Sequence, residues 1–262
     1  MKRWHGKLAI VTGASAGIGA ATARFLVNDS VRVVGLARRK DKLDELAAEL
    51  GKDKFYPVEC DIRNEEDVLK AFKWIEEKLG GADILVNNAA VAEMSKIIEM
   101  SADDYRKTLE TNVVAPAVCA REFVQSIKKR KAVGHLVNIN SMAGHFAELI
   151  QIPIGMYGAS KYALNALTIE LRHEIKETGL DIKVTSISPG AVLTDLLRDA
   201  IKVQEIIDKI PKLSDKDVAD AVIYALGTPQ GVEVQELFIV PQNIGADTLN
   251  IMQAMQKSPQ KK

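Results

Sequence analysis

This 262-residue chain has few cysteines and histidines, and it has no excess of either sign of charge. Its two cysteines, Cys60 and Cys119, form no C-x-x-C pair, so we expect neither a disulfide framework nor a metal cluster, and a reducing compartment such as the cytoplasm. The four histidines show no metal-ligand spacing, and we expect no metal. Basic and acidic residues number 35 each, which leaves no electrostatic footprint for nucleic acid.

Long apolar runs are also missing. No uninterrupted run approaches the ~20 residues that a helix needs to cross a bilayer, so we expect no transmembrane segment. The N-terminal sequence MKRWHGKLAIVTG has only a short apolar run, which leads directly into a glycine turn. This pattern predicts a first strand and argues against a signal peptide.

Short apolar, β-branched runs alternate with segments of helical periodicity along most of the chain. The runs are LAIVT, VRVVGLA, KFYPVEC, ADILVNN, HLVNIN, IKVTSIS and ELFIV. Strands that are apolar on both faces and alternate with helices are typical of a parallel sheet covered on both sides. We therefore predict an α/β, single-domain Rossmann fold with a doubly wound, mostly parallel, seven-stranded sheet over residues 1–243. The polar segment 244–262 is predicted to be a loose tail or an oligomer arm.

A glycine-rich turn follows the first predicted strand. TGASAGIG places Gly13, Gly17 and Gly19 between a strand and a helix whose free N–H groups and dipole favour a pyrophosphate. Glycines let the backbone turn sharply and approach phosphates, and Ser15 adds a hydroxyl donor. The alternative is a glycine-rich βα turn that binds nothing.

The end of the second strand predicts which nucleotide is bound. An NAD enzyme usually has an acidic residue here for the ribose 2′-hydroxyl, but this chain has Ala37 followed by Arg38 and Arg39. A guanidinium can hold a 2′-phosphate that a carboxylate would repel, so we predict NADP. The alternative is that both arginines are ordinary surface charges. Asp61 is expected to meet the adenine amino group, with Ile62 beside the ring, or else to cap the next helix, for which Asn64 is the better cap.

Five motifs occur in the order and spacing of one family. They are TGASAGIG, NNAA, Ser141, YGASK and PGAVLT, and together they resemble the short-chain dehydrogenase/reductase family over about residues 5–243. Segments such as VVGLARR, NINSMAGH and DVADAVIYALGTP resemble a subgroup that contains the insect NADP-dependent farnesol dehydrogenases and the dehydrogenase/reductase member 11 proteins. In two places the chain departs from the family pattern. Ala90 replaces a glycine close to the cofactor, and Ala16 stands where many NADP-binding members have a basic residue.

The resemblance implies four catalytic residues: Asn112, Ser141, Tyr157 and Lys161. Tyr157 would exchange the hydroxyl proton, and Lys161, four residues later on the same helix face, would lower its pKa together with the oxidised nicotinamide. Ser141 would bind the substrate oxygen. Besides the residues already assigned to the nucleotide, the resemblance implies cofactor contacts from a further set: Ile18, Asn88, Tyr157, Lys161, Val192 and Thr194.

The residues that follow Asn112 in the sequence lead to a further expectation. Pro116, four residues later, cannot donate to the Asn112 carbonyl, which frees that oxygen for another donor. In the family this position holds a water that leads to the lysine and forms a proton relay. The alternative is a proline kink without a function.

Two apolar segments are expected to shape the substrate pocket, HFAELIQIPIGM and AVLTDLLRDAIKVQEIIDKI. They favour an apolar alcohol or carbonyl, and the resemblance implies a terpenoid alcohol such as farnesol. A steroid or dicarbonyl reductase is the close alternative, and a catalytically inactive nucleotide-binding sensor or scaffold is the alternative of a different class. The stretch YALNALTIEL is apolar nearly all round, which suggests a homodimer or homotetramer formed through this helix.

Overall fold

Seven parallel strands form one sheet in the computed structural model, which describes residues 1–93, 95–150, 152–200, 207–208 and 210–242. The predicted tail, 244–262, lies outside the described residues. The order across the sheet is β3-β2-β1-β4-β5-β6-β7, and all neighbouring pairs are parallel. The strands are β1 (Leu8–Thr12), β2 (Arg32–Ala37), β3 (Phe55–Glu59), β4 (Ile84–Asn87), β5 (Gly134–Ile139), β6 (Ile182–Pro189) and β7 (Glu236–Ile239).

Helices connect the strands and cover both faces of the sheet. They are α1 (Gly17–Asn28), α2 (Lys40–Leu50), α3 (Glu65–Leu79), α4 (Ala102–Leu109), α5 (Ala115–Arg130), α6 (Met156–Thr178), α7 (Asp195–Ala200) and α8 (Asp215–Gly227). Local sequence explains where several begin. Asn64 caps α3 by accepting a hydrogen bond from the backbone of Glu66, as its sequence position predicts. Ser214 and Asp217 form a capping box on α8.

The buried core lies in two layers, one on each face of the sheet. Alternate residues of β1 point to opposite faces, so Ala9 and Val11 join one layer while Leu8 and Ile10 join the other. This arrangement confirms the predicted doubly wound fold. In the ranges that the structure describes, no helix combines the length and apolarity needed to cross a membrane.

A π-helical turn, Glu110–Val114, separates α4 from α5. The backbone N–H of Ala115 donates to the carbonyl of Glu110, five residues earlier. Pro116 follows as the second residue of α5. The chain thus passes through one wider, π-type turn just before the proline, and such turns are frequent at functional sites.

Candidate active site

A cavity of about 930 Å³ opens at the carboxyl edge of the sheet. Six of the strands have cavity-lining residues at or just after their C-terminal ends. This is where ligands bind in open parallel sheets. These residues are Gly13 after β1, Arg38 and Arg39 after β2, Asp61 after β3, Asn88 after β4, Ser141 after β5 and Pro189 at the end of β6. The sequence motifs therefore meet at one site. β5 itself ends at Ile139, and Ser141 caps the short 3-10 turn Met142–Gly144 that follows.

The glycine loop after β1 is packed too tightly for side chains at two positions. Gly13 has a φ of +68°, and a Cβ added there would lie 2.9 Å from the Cα of Ala89. A Cβ on Gly19 would lie 2.4 Å from the Gly13 carbonyl oxygen. The side-chain amide of Asn88 donates to the backbone carbonyl of Thr12 at 2.9 Å, so Asn88 fixes this loop as well as lining the cavity. The loop and the N-terminus of α1 form a bare-backbone cradle that fits a pyrophosphate.

Both arginines at the end of β2 are exposed and line the cavity. The Arg39 guanidinium donates to the Ser15 hydroxyl, with Nη2 at 3.1 Å, and its Nη1 lies 3.9 Å from Asp195 Oδ2. Arg39 thus reaches across the opening to the glycine loop. Ser15 and Arg39, which the sequence assigned to different parts of the nucleotide, lie in contact. Two guanidinium groups at this point fit a phosphate better than a ribose hydroxyl alone.

Asp61 is held by a residue that the sequence analysis missed. Arg63 Nη2 donates to Asp61 Oδ2 at 2.6 Å, and its Nε lies 3.1 Å from Oδ1. These hydrogen bonds from Arg63 are the main reason that the Asp61 pKa lies below its usual range, although burial opposes them. Arg63 and Ile62 also line the cavity. The sequence showed only that Arg63 lies two residues after Asp61. Whether the two side chains pair depends on the conformation of the turn between them.

Tyr157, Ser141 and Lys161 form the polar centre of the cavity. Tyr157 is the second residue of α6, and its hydroxyl lies close enough to the Ser141 side chain for that side chain to lower the tyrosine pKa. The Ser141 hydroxyl also accepts a hydrogen bond from the backbone of Ala143 at 3.1 Å. Lys161 is 2% exposed, and its Nζ donates to the Ile139 carbonyl at 2.9 Å. The predicted proximity of tyrosine and lysine is confirmed, since Lys161 Nζ lies 5.7 Å from the centre of the Tyr157 ring.

Burial shifts the pKa values of both titratable side chains in this centre. Burial raises the pKa of Tyr157 above its usual range, and the hydrogen bond with Ser141 only partly opposes this. Burial also lowers the pKa of Lys161 to about 7. In the protein by itself the Tyr157 pKa is thus raised, while the expected lowering, which includes the charge of an oxidised nicotinamide, stays a prediction. The physical reason is that a low-dielectric site disfavours both charged forms, and a lysine that is partly neutral near pH 7 stabilises a phenolate less.

Asn112 lies in the π-helical turn and is 1% exposed. Its side-chain amide is fully engaged: Oδ1 accepts from the backbone N–H of Val91, while Nδ2 donates to the Val91 carbonyl and to Ser160 Oγ, each at 2.9 Å. Ser160 was missed by the sequence analysis, although it lies inside the YGASK motif. The side chain of Asn112 thus joins the loop after β4 to α6. The predicted release of its carbonyl by Pro116 stays a prediction.

The remaining predicted cofactor residues, Ile18, Val192 and Thr194, all line the cavity. Ala90 also lines it and is absent from the described non-glycine residues with positive φ, which are Ser30 and Lys131. The expectation that a methyl group is tolerated there if φ is negative therefore fits the structure. No group of three or more His, Cys, Asp or Glu side chains in the described part of the chain could hold a metal ion.

The outer part of the cavity is mostly apolar. One wall comes from the segment between Ser141 and Tyr157, and the other from α7 and the residues before α8. Apolar side chains on these walls are Phe146, Leu149, Ile150, Ile154, Leu196, Leu197, Ile210 and Pro211. Lys107, Asp195 and Asp199 add charges to the lining. Part of the second predicted pocket segment, residues 201–206 and 209, lies outside the described residues.

Known proteins share both the motifs and this architecture. A family model described as short chain dehydrogenase matches residues 7–205. A farnesol dehydrogenase of Aedes aegypti is 43% identical over 92% of this chain and 98% of its own length. The human dehydrogenase/reductase SDR family member 11 is 40% identical over 92% of this chain and 96% of its own.

Among solved structures, the closed form of a serine dehydrogenase complexed with NADP+ is 27% identical, with a TM-score of 0.79. The match covers 88% of this chain and 94% of that one. The sequence matches extend over nearly all of the strands and helices that build the cavity around Tyr157 and Lys161. The chain therefore belongs to the short-chain dehydrogenase/reductase family of oxidoreductases.

Proposed function

We propose that this oxidoreductase transfers a hydride between NADP(H) and an apolar alcohol or its carbonyl, with Tyr157 as the general acid and base. The observation that carries the proposal is the placement of Tyr157, Ser141 and the buried Lys161 in one cavity, between an arginine-bearing cradle and an apolar-walled opening. The intact centre also disfavours a catalytically inactive sensor or scaffold, which has no use for a buried lysine beside a tyrosine.

The choice of NADP rests on charge at the end of β2. Arg38 and Arg39 are exposed there, and Arg39 already contacts Ser15 of the glycine loop. A 2′-phosphate would gain charge-assisted hydrogen bonds from this pair, and the residue directly after β2 is Arg38 rather than the acidic residue of an NAD enzyme. The solved serine dehydrogenase with NADP+ shows that a protein of similar fold binds this nucleotide, which supports the assignment.

The residues of the chain would handle the proton and orient the substrate. A bound nicotinamide would supply or accept the hydride. Ser141 would hold the substrate oxygen next to the Tyr157 hydroxyl, which gives its proton to the oxygen in reduction and takes it in oxidation. Lys161, with a pKa of about 7, would exchange protons behind the tyrosine. Asn112 would keep α6 and the loop after β4 at a fixed distance through Ser160 and Val91.

The nucleotide contacts follow from the same placement. Gly13 and Gly17, which line the cavity, would approach the pyrophosphate. Gly19 would support the turn from beneath, since its lack of a side chain lets it pack against Gly13 and Asn88. Asp61, kept ionised by Arg63, would accept from the adenine amino group. The other contacts proposed for the cofactor come from cavity-lining side chains: Ser15, Ile18, Ile62, Asn88, Val192 and Thr194.

The substrate is proposed to be a terpenoid alcohol such as farnesol. The walls of the opening are formed mainly by leucine, isoleucine and phenylalanine, which suit an extended hydrocarbon. The 43% identical relative from Aedes aegypti carries the name farnesol dehydrogenase, which supports this choice.

A substrate and cofactor panel tests the proposal. We expect farnesol to be oxidised with NADP+ at a higher kcat/KM than with NAD+, and a steroid or dicarbonyl panel with NADPH to be slower. Arg38→Ala and Arg39→Ala together should weaken NADP+ binding by about 10- to 100-fold, the effect of losing charge-assisted hydrogen bonds, and leave NAD+ binding unchanged. Arg32→Ala, at the other end of β2, is the matched control. Equal use of NAD+ and NADP+ would contradict the cofactor assignment.

We also infer that the protein is a homodimer or homotetramer of the cytoplasm, built from one unit over residues 1–243 with 244–262 as an appended segment. Tyr162 and Ile169 project from α6 with exposed fractions of 43% and 39%, which leaves apolar surface for a second copy. Cys60 and Cys119 are free thiols, which suits a reducing compartment. Light scattering on the full chain and on a chain ending at 243 measures the assembly. A monomer at micromolar concentration would contradict it.

A further inference from the structure

His145 connects the active-site turn to three other parts of the fold. It follows the turn that Ser141 begins, and its ring is mostly buried, with 12% of the side chain exposed. On one side, its backbone carbonyl accepts from the Tyr162 hydroxyl of α6 at 2.7 Å. On the other side, its Nε2 lies 2.7 Å from Glu236 Oε1 on β7 and 3.3 Å from Ser188 Oγ on β6. The chemistry proposed above assigns no role to these contacts.

The turn between Ser141 and His145 is stiff. The backbone of Gly144 donates to the Ser141 carbonyl at 2.9 Å, and that of His145 donates to Met142 at 3.1 Å. A Cβ on Gly144 would lie 2.7 Å from the Lys161 carbonyl, so the turn is pressed directly against α6. Because the turn has little internal freedom, a displacement of His145 would be transmitted to the Ser141 hydroxyl.

The apolar wall of the cavity is also connected to His145, through Phe238. The rings of His145 and Phe238 meet edge to face, with centroids 4.9 Å apart, and Phe238 lies 5.8 Å from Phe146. Phe146 lines the cavity, whereas Phe238 and Glu236 belong to the edge strand β7. The position of the substrate wall thus depends on the last strand of the sheet.

The cluster does not have the geometry of a hydrolytic triad. In such a triad the serine and the carboxylate bind opposite nitrogens of the histidine. Here Ser188 and Glu236 both approach Nε2, while Nδ1 faces the Asn165 amide at 3.3 Å. Ser188 is also fully buried, out of reach of a substrate. The contacts of His145 therefore serve to hold it in place.

We propose that His145, held by Glu236, is a positioning residue that sets Ser141 and Phe146 against the substrate while leaving the nucleotide site unaffected. This inference rests on the proposed function of the site. Its physical basis is that hydride and proton transfer tolerate little misplacement of the reacting oxygen, and a shift of about 1 Å can cost about 100-fold in rate. The Glu236–His145 hydrogen bond joins an edge strand to the residue that would bind this oxygen.

Three variants test the proposal with farnesol and NADP+ as probes. Glu236→Ala should lower kcat/KM for farnesol by about 10- to 100-fold and leave the Kd for NADP+ within about twofold. Glu236→Gln keeps an oxygen acceptor for His145 and should restore most of the activity. Glu233→Ala is the matched control, because Glu233 accepts from the backbone of Val184 near the start of β6 and its loss should lower stability without changing the farnesol kinetics.

A double-mutant cycle separates positioning from general damage. His145→Ala should lose at least as much activity as Glu236→Ala, because it also removes the ring contact with Phe238. Adding Glu236→Ala to His145→Ala should cost little more, because the contact between the two residues is already gone. Additive losses, or equal losses in Glu236→Ala and Glu233→Ala, would overturn the inference. A wild-type protein that fails to oxidise farnesol or any other panel alcohol would instead contradict the proposed function, so the two failures are distinguishable.

Discussion

Lys161 lies one helical turn after Tyr157, with its Nζ atom 5.7 Å from the centre of the phenol ring. The same Nζ donates to the Ile139 carbonyl at the end of β5, two residues before Ser141. The lysine thus joins the helix that carries the tyrosine to the strand that leads to the serine. Its burial lowers its pKa to about 7, so it can gain or lose a proton near neutral pH.

Removal of the Tyr157 hydroxyl should abolish proton exchange. We expect Tyr157→Phe to lower kcat by about 10²- to 10⁴-fold, the usual contribution of a positioned acid or base, while NADP+ affinity stays close to that of the wild type. Fluorescence titration of NADPH measures the affinity. Tyr224→Phe, on α8 and exposed at 62%, is the control for a lost phenol hydroxyl. Undiminished turnover in Tyr157→Phe would exclude the tyrosine as acid and base.

A methyl group at Gly19 should damage the nucleotide cradle. Its Cβ would lie 2.4 Å from the Gly13 carbonyl oxygen and 2.6 Å from Asn88 Nδ2, so the loop must move. We expect Gly19→Ala to destabilise the fold by about 1–3 kcal/mol and to weaken NADPH binding. Gly231→Ala is the control, since an added Cβ there meets no atom within 4 Å. Thermal unfolding without NADPH measures the loss of stability, and the shift in Tm on adding NADPH measures the loss of binding. Equal Tm values and equal shifts in the two variants would contradict the prediction.

The buried Lys161 should make stability depend on pH. Its pKa is about 7 in the folded protein and 10.5 as the ordinary value, so between these values the unfolded chain binds a proton that the folded protein does not. The free energy of unfolding should therefore rise with pH across this window, by at most about 1.4 kcal/mol per pH unit from this group. Below pH 7 both states carry the proton, and this gain is absent.

Denaturant unfolding of the wild type and of Lys161→Met between pH 7 and 9 checks the lysine contribution. The slope with pH should be smaller in Lys161→Met, which keeps the length of the side chain and has no charge to bury. The difference between the two slopes isolates Lys161, because all other titrating groups are common to both proteins. Identical slopes would show that the folded lysine keeps its ordinary pKa.

Both cysteines should resist modification in the folded protein. Burial raises the pKa of Cys60 and of Cys119 to about 12, so the reactive thiolate is rare at pH 8. We expect less than one thiol per chain to react with a disulfide reagent in native buffer, and two after unfolding. Although Cys60 lines the cavity, it is 2% exposed and reacts slowly without a ligand, so NADPH should change the native reaction little. Rapid native labelling of one thiol would contradict the burial argument.

Much of the site was predictable because its requirements are local. The alternation of strands and helices predicted the sheet, and the sheet brought TGASAGIG, Arg38 and Ser141 to one edge. The spacing of Tyr157 and Lys161 predicted their common helix face. Other features depend on partners that are distant in sequence. Nothing near His145 indicates Glu236, and nothing near Asn112 indicates Ser160, because these pairs meet only when β7 and α6 pack against their neighbours.

The sequence by itself determined the strands and helices, the motif that follows each strand and the residue types at the site. These features depend on backbone periodicity and glycine geometry, which are properties of short segments. The tertiary structure alone decided the protonation behaviour of that site. Tyr157 and Lys161 have ordinary pKa values in a solvated helix, and burial shifts them in opposite directions. Desolvation depends on everything that surrounds a group, so it emerges only when the whole chain has folded.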